Sequence, residues 1–437
     1  MTFPTPGGTG EVLSGTSPVL FSPYPPGMKT RNRMLTAGAG LMTVALTGCS
    51  TPMVEPIKPL EPIPAITAGA KQFDPPVRFS DQPLNVGLPP GGDALLHGPL
   101  VFFGTSEAVT VTDVRTGQEV AELAPENKPG TVSGDPAGAD YHDAVLVTSS
   151  AGERVVVPYV TVETGSGTAR DREKAELVVA DAATGQSAGV LQVDVPANAY
   201  DYSTDGRLAV AGTSGDLVVL VFEGSEQLAP ETVAVDVVTG KTVWRRPGLA
   251  AAAVLGDTVI GADGLETRHL AGAAVADGVQ RWKQTQTQVL RITPAGPKYA
   301  TVHGRKNDGS FTRILTLVDA AGAAAGEFDP ANDFTDCFYD EQSTTVCAGY
   351  GNGAQFAIGF DATTAAVLWR LPTQDRLAPR VGAAWHGAVY GEVKTRAVAL
   401  DARTGADREN SDGLAIPAAV NGYGALTSTP QFFPAVG

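Results

Sequence analysis

The strongest constraint on this chain is a short motif that it keeps repeating. D-x-x-T-G occurs at 113–117, 181–185, 236–240 and 401–405, and looser copies start at Asp277, Asp319 and Asp361. From Asp236 onward the openings fall 41, 42, 42 and 40 residues apart. Two wider gaps precede them, 68 and 55 residues, and they hold the polar insertions at 164–176 and 223–231. A period near 40 means a stacked or circular array of one supersecondary unit. Runs rich in β-branched and aromatic residues, such as DLVVLVFE and TVAVDVV, flank each motif and predict strands. No unit offers ten residues of apolar helical periodicity. The Gly 51 and Pro 32 of the chain fit many turns between short strands.

Each unit reads as four antiparallel strands, so the expected class is all-β, a β-propeller of four-stranded blades. Seven motifs give seven blades. The stretch 413–437 holds three further strands and 72–86 holds one. Together they would build a closing blade shared by both ends, which predicts eight blades, with seven as the alternative count.

The motif is itself turn chemistry. An Asp carboxylate between two strands accepts backbone N–H groups, Thr does so more weakly, and Gly supplies the left-handed residue of the hairpin loop. The turn residues are Asp113, Gly117, Asp181, Gly185, Asp236, Gly240, Asp277, Asp319, Asp361, Asp401 and Gly405. Trp244, Trp282 and Trp369 lie on the returning strands, where a large ring can wedge between sheets. Nothing in this requires a ligand.

VALDARTG (398–405) and VAVDVVTGKTVW (233–244) resemble the repeat of the pyrroloquinoline-quinone-like propellers, and the likeness covers residues 93–410. That family includes quinoprotein dehydrogenases, which use adjacent cysteines over the quinone, a Trp floor and a Ca²⁺ held by Glu, Asn and Asp. This chain has no adjacent cysteines. A quinone-dependent oxidoreductase is therefore the alternative reading, and no catalytic residue, cofactor or metal is assigned.

The N-terminal region reads as an address. Lys29, Arg31 and Arg33 precede the apolar run Met34 to Leu46, which is too short to span a bilayer. Leu46-Thr47-Gly48-Cys49 then resembles the lipobox of bacterial lipoproteins, which implies cleavage before Cys49 and lipidation of its thiol. The expected organisation is 1–27 as a disordered extension or mis-assigned start, 28–48 as signal peptide, 49–71 as a Pro-rich linker and 72–437 as the propeller. Beyond residue 48 the body carries 28 basic and 46 acidic groups. Such a surface lacks the basic footprint of nucleic-acid binding and would need its covalent anchor to stay at a membrane.

Cys337 and Cys347 fall opposite each other on a predicted hairpin and should form a disulfide once exported. Other candidates reduce to ordinary structure. Gly185–Gly189 fits the G-x-S-x-G elbow, but a strand follows where an elbow needs a helix. His97, His142, His269, His303 and His386 share no metal-like spacing. Asp329, Asp333 and Asp336 read as a solvated acidic rim, with Ca²⁺ as the sharper alternative, and 306–309 reads as a hairpin turn. Lipobox and repeat together resemble the propeller lipoprotein of the outer-membrane β-barrel assembly machinery. That likeness implies a non-catalytic, lipid-anchored scaffold on the extracytoplasmic face, with a protein or polysaccharide partner. A carbohydrate-binding or sensor lipoprotein is a further alternative.

Overall fold

The computed structural model describes residues 71–84, 86, 94–129, 144–196, 207–223, 229–265, 267–310, 312–351, 353–412, 416–427 and 431–437. Cys49, the leader, residues 50–70 of the Pro-rich segment and His142 lie outside them. The chain divides into Met1–Thr67 and Ala68–Gly437, and the described residues all belong to the second unit.

Every regular element among the described residues is a strand, and the strands pair antiparallel. Blade one comprises Ala94–His97, Leu100–Gly104, Val109–Asp113 and Gln118–Leu123. Blade two comprises Val145–Ser149, Gly152–Glu163, Arg172–Asp181 and Ser187–Asp194, with Lys128–Pro129 pairing higher on its second strand. Blade three is Arg207–Ser214, Leu217–Glu223, Glu231–Asp236 and Thr242–Pro247. Blades four and five form one seven-stranded sheet, because Gln280–Pro294 serves as the last strand of one and the first of the other. Blade six runs from Asn332–Tyr339 to Val367–Leu371, and blade seven from Arg380–Trp385 to Asp407–Asp412.

The eighth blade draws on both ends of the chain. Pro417–Asn421, Gly424–Thr427 and Phe432–Pro434 form its three regular strands. The N-terminal segment adds to their outer edge through bridges Phe79 to Ala435 and Leu84 to Phe432. The first strand of this blade touches the first strands of blades seven and one, which closes the ring. Eight blades are present, as the spacing and the leftover strands predicted.

Burial follows from the stacking of sheets face to face. Second strands have neighbours on both faces and are apolar almost throughout: Leu100–Gly104 is wholly buried, and Leu217–Glu223 is buried at its five central positions. Fourth strands form the outer edge and alternate, as in Thr242–Pro247, where Trp244 points inward between more exposed neighbours. Glu176 and Asp340 are both fully buried carboxylates. Glu176 accepts the backbone N–H groups of Glu126 (2.7 Å) and Asn127 (3.2 Å) and the Asn127 side-chain amide, so it fixes the passage from blade one to blade two.

The repeated turns lie at one end of the ring and show why the motif recurs. Asp236 accepts the N–H groups of Val238 and Thr239 at 2.9 and 2.8 Å, and Asp361 accepts those of Thr363 and Thr364, both at 3.0 Å. Asp181 and Asp401 each bind the N–H and hydroxyl of the Thr three residues on. Asp113 and Asp319 open their turns in the same way. The left-handed residue then donates its N–H to the opening carbonyl, as Gly405 does to Asp401 at 2.8 Å with φ +67°.

Blade four differs from the sequence alignment. Gly278, at φ +70°, donates to the carbonyl of Ala274, so Ala274 opens this turn and Asp277 is its fourth residue, in the place of the motif Thr. Asp277 still accepts the N–H of Val279 at 3.0 Å. In this register Trp244, Trp282 and Trp369 each stand eight residues after the turn opening, at 236, 274 and 361.

Those three tryptophans are blade joints. Each indole N–H donates to a carbonyl in the next blade's turn: Trp244 to Val275 (2.6 Å), Trp282 to Ala320 (3.0 Å), Trp369 to Ala402 (2.7 Å). Each ring lies against the turn glycine of that blade. A Cβ on Gly405 would come within 2.7 Å of the Trp369 ring. The joint between blades five and six is built differently. Gly326 pairs with Leu317 where Trp369 pairs with Gly359 in blade six. The facing turn carries Ala365 at φ +60° in place of glycine. Tyr299 fills the gap and donates its hydroxyl to the Thr363 carbonyl at 2.8 Å. Cys337 and Cys347 are bonded across this same core, with Cα atoms 4.0 Å apart.

Candidate functional site

First strands run toward the turn-bearing end, so their starts and the loops between second and third strands gather at the opposite, concave end. There the sequence makes one more repeated device, invisible in its motifs. The first strands of blades three to eight each contain a β-bulge. The inserted residues are Ala211, Ala252, Leu290, Thr335, Gly382 and Ala418. A bulge re-aims a side chain and breaks the ladder locally. Five of the six residues are small. Leu290 of blade five is the exception, and it is 47% exposed.

Leu290 borders a concavity of about 350 Å³ across blades three, four and five. Its wall is cut back by small residues, among them Ala209, Ala211, Ala250, Ala251 and Ala252. Its rim carries Glu223, Arg268 and Arg291. The Arg268 guanidinium stands 3.9 Å from the Glu223 carboxylate, a loose pair. Arg291 reaches across to blade six and donates to the Asp333 carboxylate and the Phe334 carbonyl. His303 sits beside them, its Nδ1 3.4 Å from Asp333, while its Nε2 is buried without a hydrogen-bond partner. Tyr350 pairs with Asp333 across the strands, is 55% exposed and accepts a hydrogen bond from Gln355. Leu290, Arg291, Asp333 and Tyr350 thus form one continuous strip leading out of the concavity. Tyrosine and arginine are frequent anchors of a protein interface.

Of the other candidates, only Asp333 belongs to this strip. Asp329 accepts the N–H of Ala331 in its own turn, Asp333 is held by Arg291, and Asp336 is exposed. Among the described residues no group of three or more His, Cys, Asp or Glu is placed to hold a metal ion. Ser187 begins a strand, so Gly185–Gly189 leads from a hairpin turn into that strand and not into a helix. His97 lies 3.1 Å from Glu153 and His386 2.5 Å from Asp74, both at the turn-bearing end. At the turns, hydrogen bonds from backbone N–H groups hold the Asp236 and Asp361 carboxyls below the usual range. At Asp181 and Asp401 burial pushes upward, but bonds from Thr184 and Arg154, and from Arg408 and Thr404, outweigh it.

Reading of residue types missed Leu290, Arg268, Arg291 and Tyr350. Leu290 departs from the repeat, a large residue where the equivalent bulges are small, but only the strand register shows it; Arg268, Arg291 and Tyr350 carry no such mark.

No family model matches this sequence, and no curated protein matches it. Among solved structures, BamB from Moraxella catarrhalis overlaps 84% of this chain and 97% of its own at 14% identity, with a TM-score of 0.45. The quinohemoprotein alcohol dehydrogenase ADHIIG from Pseudomonas putida HK5 overlaps 84% of this chain and 74% of its own at 12% identity and TM-score 0.46. Dipeptidyl peptidase 4 from Porphyromonas gingivalis overlaps 64% and 45% at 11% identity and TM-score 0.40. These overlaps are loose, and the propeller assignment stands on the chain's own ring of eight blades.

Proposed function

We propose that the protein is a non-catalytic scaffold of the cell envelope, tethered by a lipid on Cys49 and docking a protein partner on the concave end of its ring. The order of basic residues, short apolar run and Leu46-Thr47-Gly48-Cys49 supports the tether. The observation that carries the docking is Leu290. Leu290 is 47% exposed at a bulge that five other blades fill with small residues, and docking would take its apolar surface out of water. Beside it stand Arg268, loosely paired, and exposed Tyr350, residue types that anchor partners when they become buried.

The test is crosslinking of the full-length, membrane-borne protein, followed by identification of the adducts. A discrete protein adduct that disappears when Cys49→Ala releases the chain from the membrane is the expected result. Adducts spread evenly over unrelated proteins would contradict it. Dye-linked turnover with added quinone and Ca²⁺ would contradict the non-catalytic part.

A further inference from the structure

Six blades close their first hairpin with a two-residue turn, and in four of them, between the pairs His97–Leu100, Ser214–Leu217, Leu255–Thr258 and Trp385–Ala388, the first turn residue is left-handed. Blades one, three and four place Gly98, Gly215 and Gly256 there, at φ +52°, +54° and +59°. Blade seven places His386 there, at φ +44°. Blade seven's turn is left-handed at Gly387 as well (φ +79°), a form that accepts a histidine at its first position and leaves the side chain free for a task.

The imidazole shows the task. Its Nδ1 lies 2.5 Å from the Asp74 carboxylate, its Nε2 lies 3.7 Å from Glu341 of blade six, and its ring stacks on Trp385 at 3.8 Å. Asp74 belongs to the N-terminal strap, which crosses blades seven and eight before joining the outer edge of the eighth sheet. Along the way Phe73 N–H donates to Gly422, Tyr390 donates its hydroxyl to Pro76, and Val77 N–H donates to Gly437.

We propose that His386 is the latch of this strap: from its left-handed turn it binds Asp74, faces Glu341 and holds the shared eighth blade shut. Without the strap, strand Phe432–Pro434 would present an open sheet edge of the kind that pairs with foreign strands. The latch therefore guards the seam of the ring.

Backbone amide hydrogen exchange on the folded, full-length protein tests this. His386→Gly restores the residue that other blades use, and Asp74→Asn removes the partner without touching the turn. Each variant should exchange residues 73–84 about tenfold faster, the factor set by one lost charge-assisted hydrogen bond. Blades three and four should exchange as before, and the double variant should be no faster than either single one. Strap exchange in His386→Gly at or below the wild-type rate would overturn the proposal, because histidine would then be only a poor turn residue. Acceleration in His386→Gly with Asp74→Asn unchanged would overturn it equally.

Discussion

The two ends of the ring are made from the same strands and are chemically opposite. At the turn-bearing end, polar groups are consumed by the fold: the carboxylates of Asp181, Asp236, Asp361 and Asp401 each accept bonds within their own turn. At the concave end, Leu290 and Tyr350 stand in solvent, and Arg268 keeps a carboxylate only at 3.9 Å. The repeated residues mark construction, and Leu290, which breaks the bulge pattern, belongs to the proposed docking surface. In a circular array each blade serves as a control for the next, so an exception can be recognised without any relative of the protein.

The contrast can be broken by substitution, since the two ends should respond in opposite ways. The largest effect belongs to the joints. Trp369→Ala removes a buried ring and its bond to Ala402, and should cost about 3–5 kcal/mol in denaturant unfolding while leaving partner capture intact below the transition. Next comes Gly405→Ala, which forces a methyl against the Trp369 ring and adds left-handed strain, for about 2–4 kcal/mol. Its mirror, Ala365→Gly, sits at the joint that lacks a tryptophan. It relieves about 1 kcal/mol of strain and gives up a buried methyl of about 0.8 kcal/mol, so the midpoint should barely move. If the two substitutions cost the same, the tryptophan joint and the tyrosine joint are not distinct structures.

Acid should act on the turn-bearing end. The Asp236 and Asp361 carboxyls are held below their unfolded value, so the stability they contribute is present above that value, near pH 4. It is lost as pH falls through the lower folded value. The unfolding midpoint should therefore be flat around neutrality and drop below about pH 4; a drop beginning between pH 6 and 7 would place the sensitive groups elsewhere. The smallest effect on stability belongs to the concave end. Leu290→Ala should change it by less than about 0.5 kcal/mol, as expected for an exposed position, and yet weaken partner capture about tenfold or more.

Much of the fold was legible in the sequence because turn chemistry is local. Asp, Thr and Gly at fixed spacing specify a hairpin whatever surrounds it, and six of the seven marked aspartates open one. Asp277 misled the alignment because it lies three residues beyond the true opening, and alanine at 274 carries no signal. The shared eighth blade was legible from strand arithmetic alone. The concave end was not, because a bulge is a property of register between strands, and no residue type at 211, 252 or 290 announces it. His386 escaped for a related reason: only the fold brings it to Asp74, 312 residues away along the chain.

Photo-crosslinking from single positions on the membrane-borne protein puts the assignment of the two ends to its most direct trial. A photoreactive residue at Leu290 or Tyr350 should yield one discrete adduct, and the same residue at Val238 or Val279, exposed in the turns of the opposite end, should yield none. Adducts formed from the turns, with Leu290 and Tyr350 silent, would place the working surface at the other end of the ring and contradict the reading of the repeat as construction.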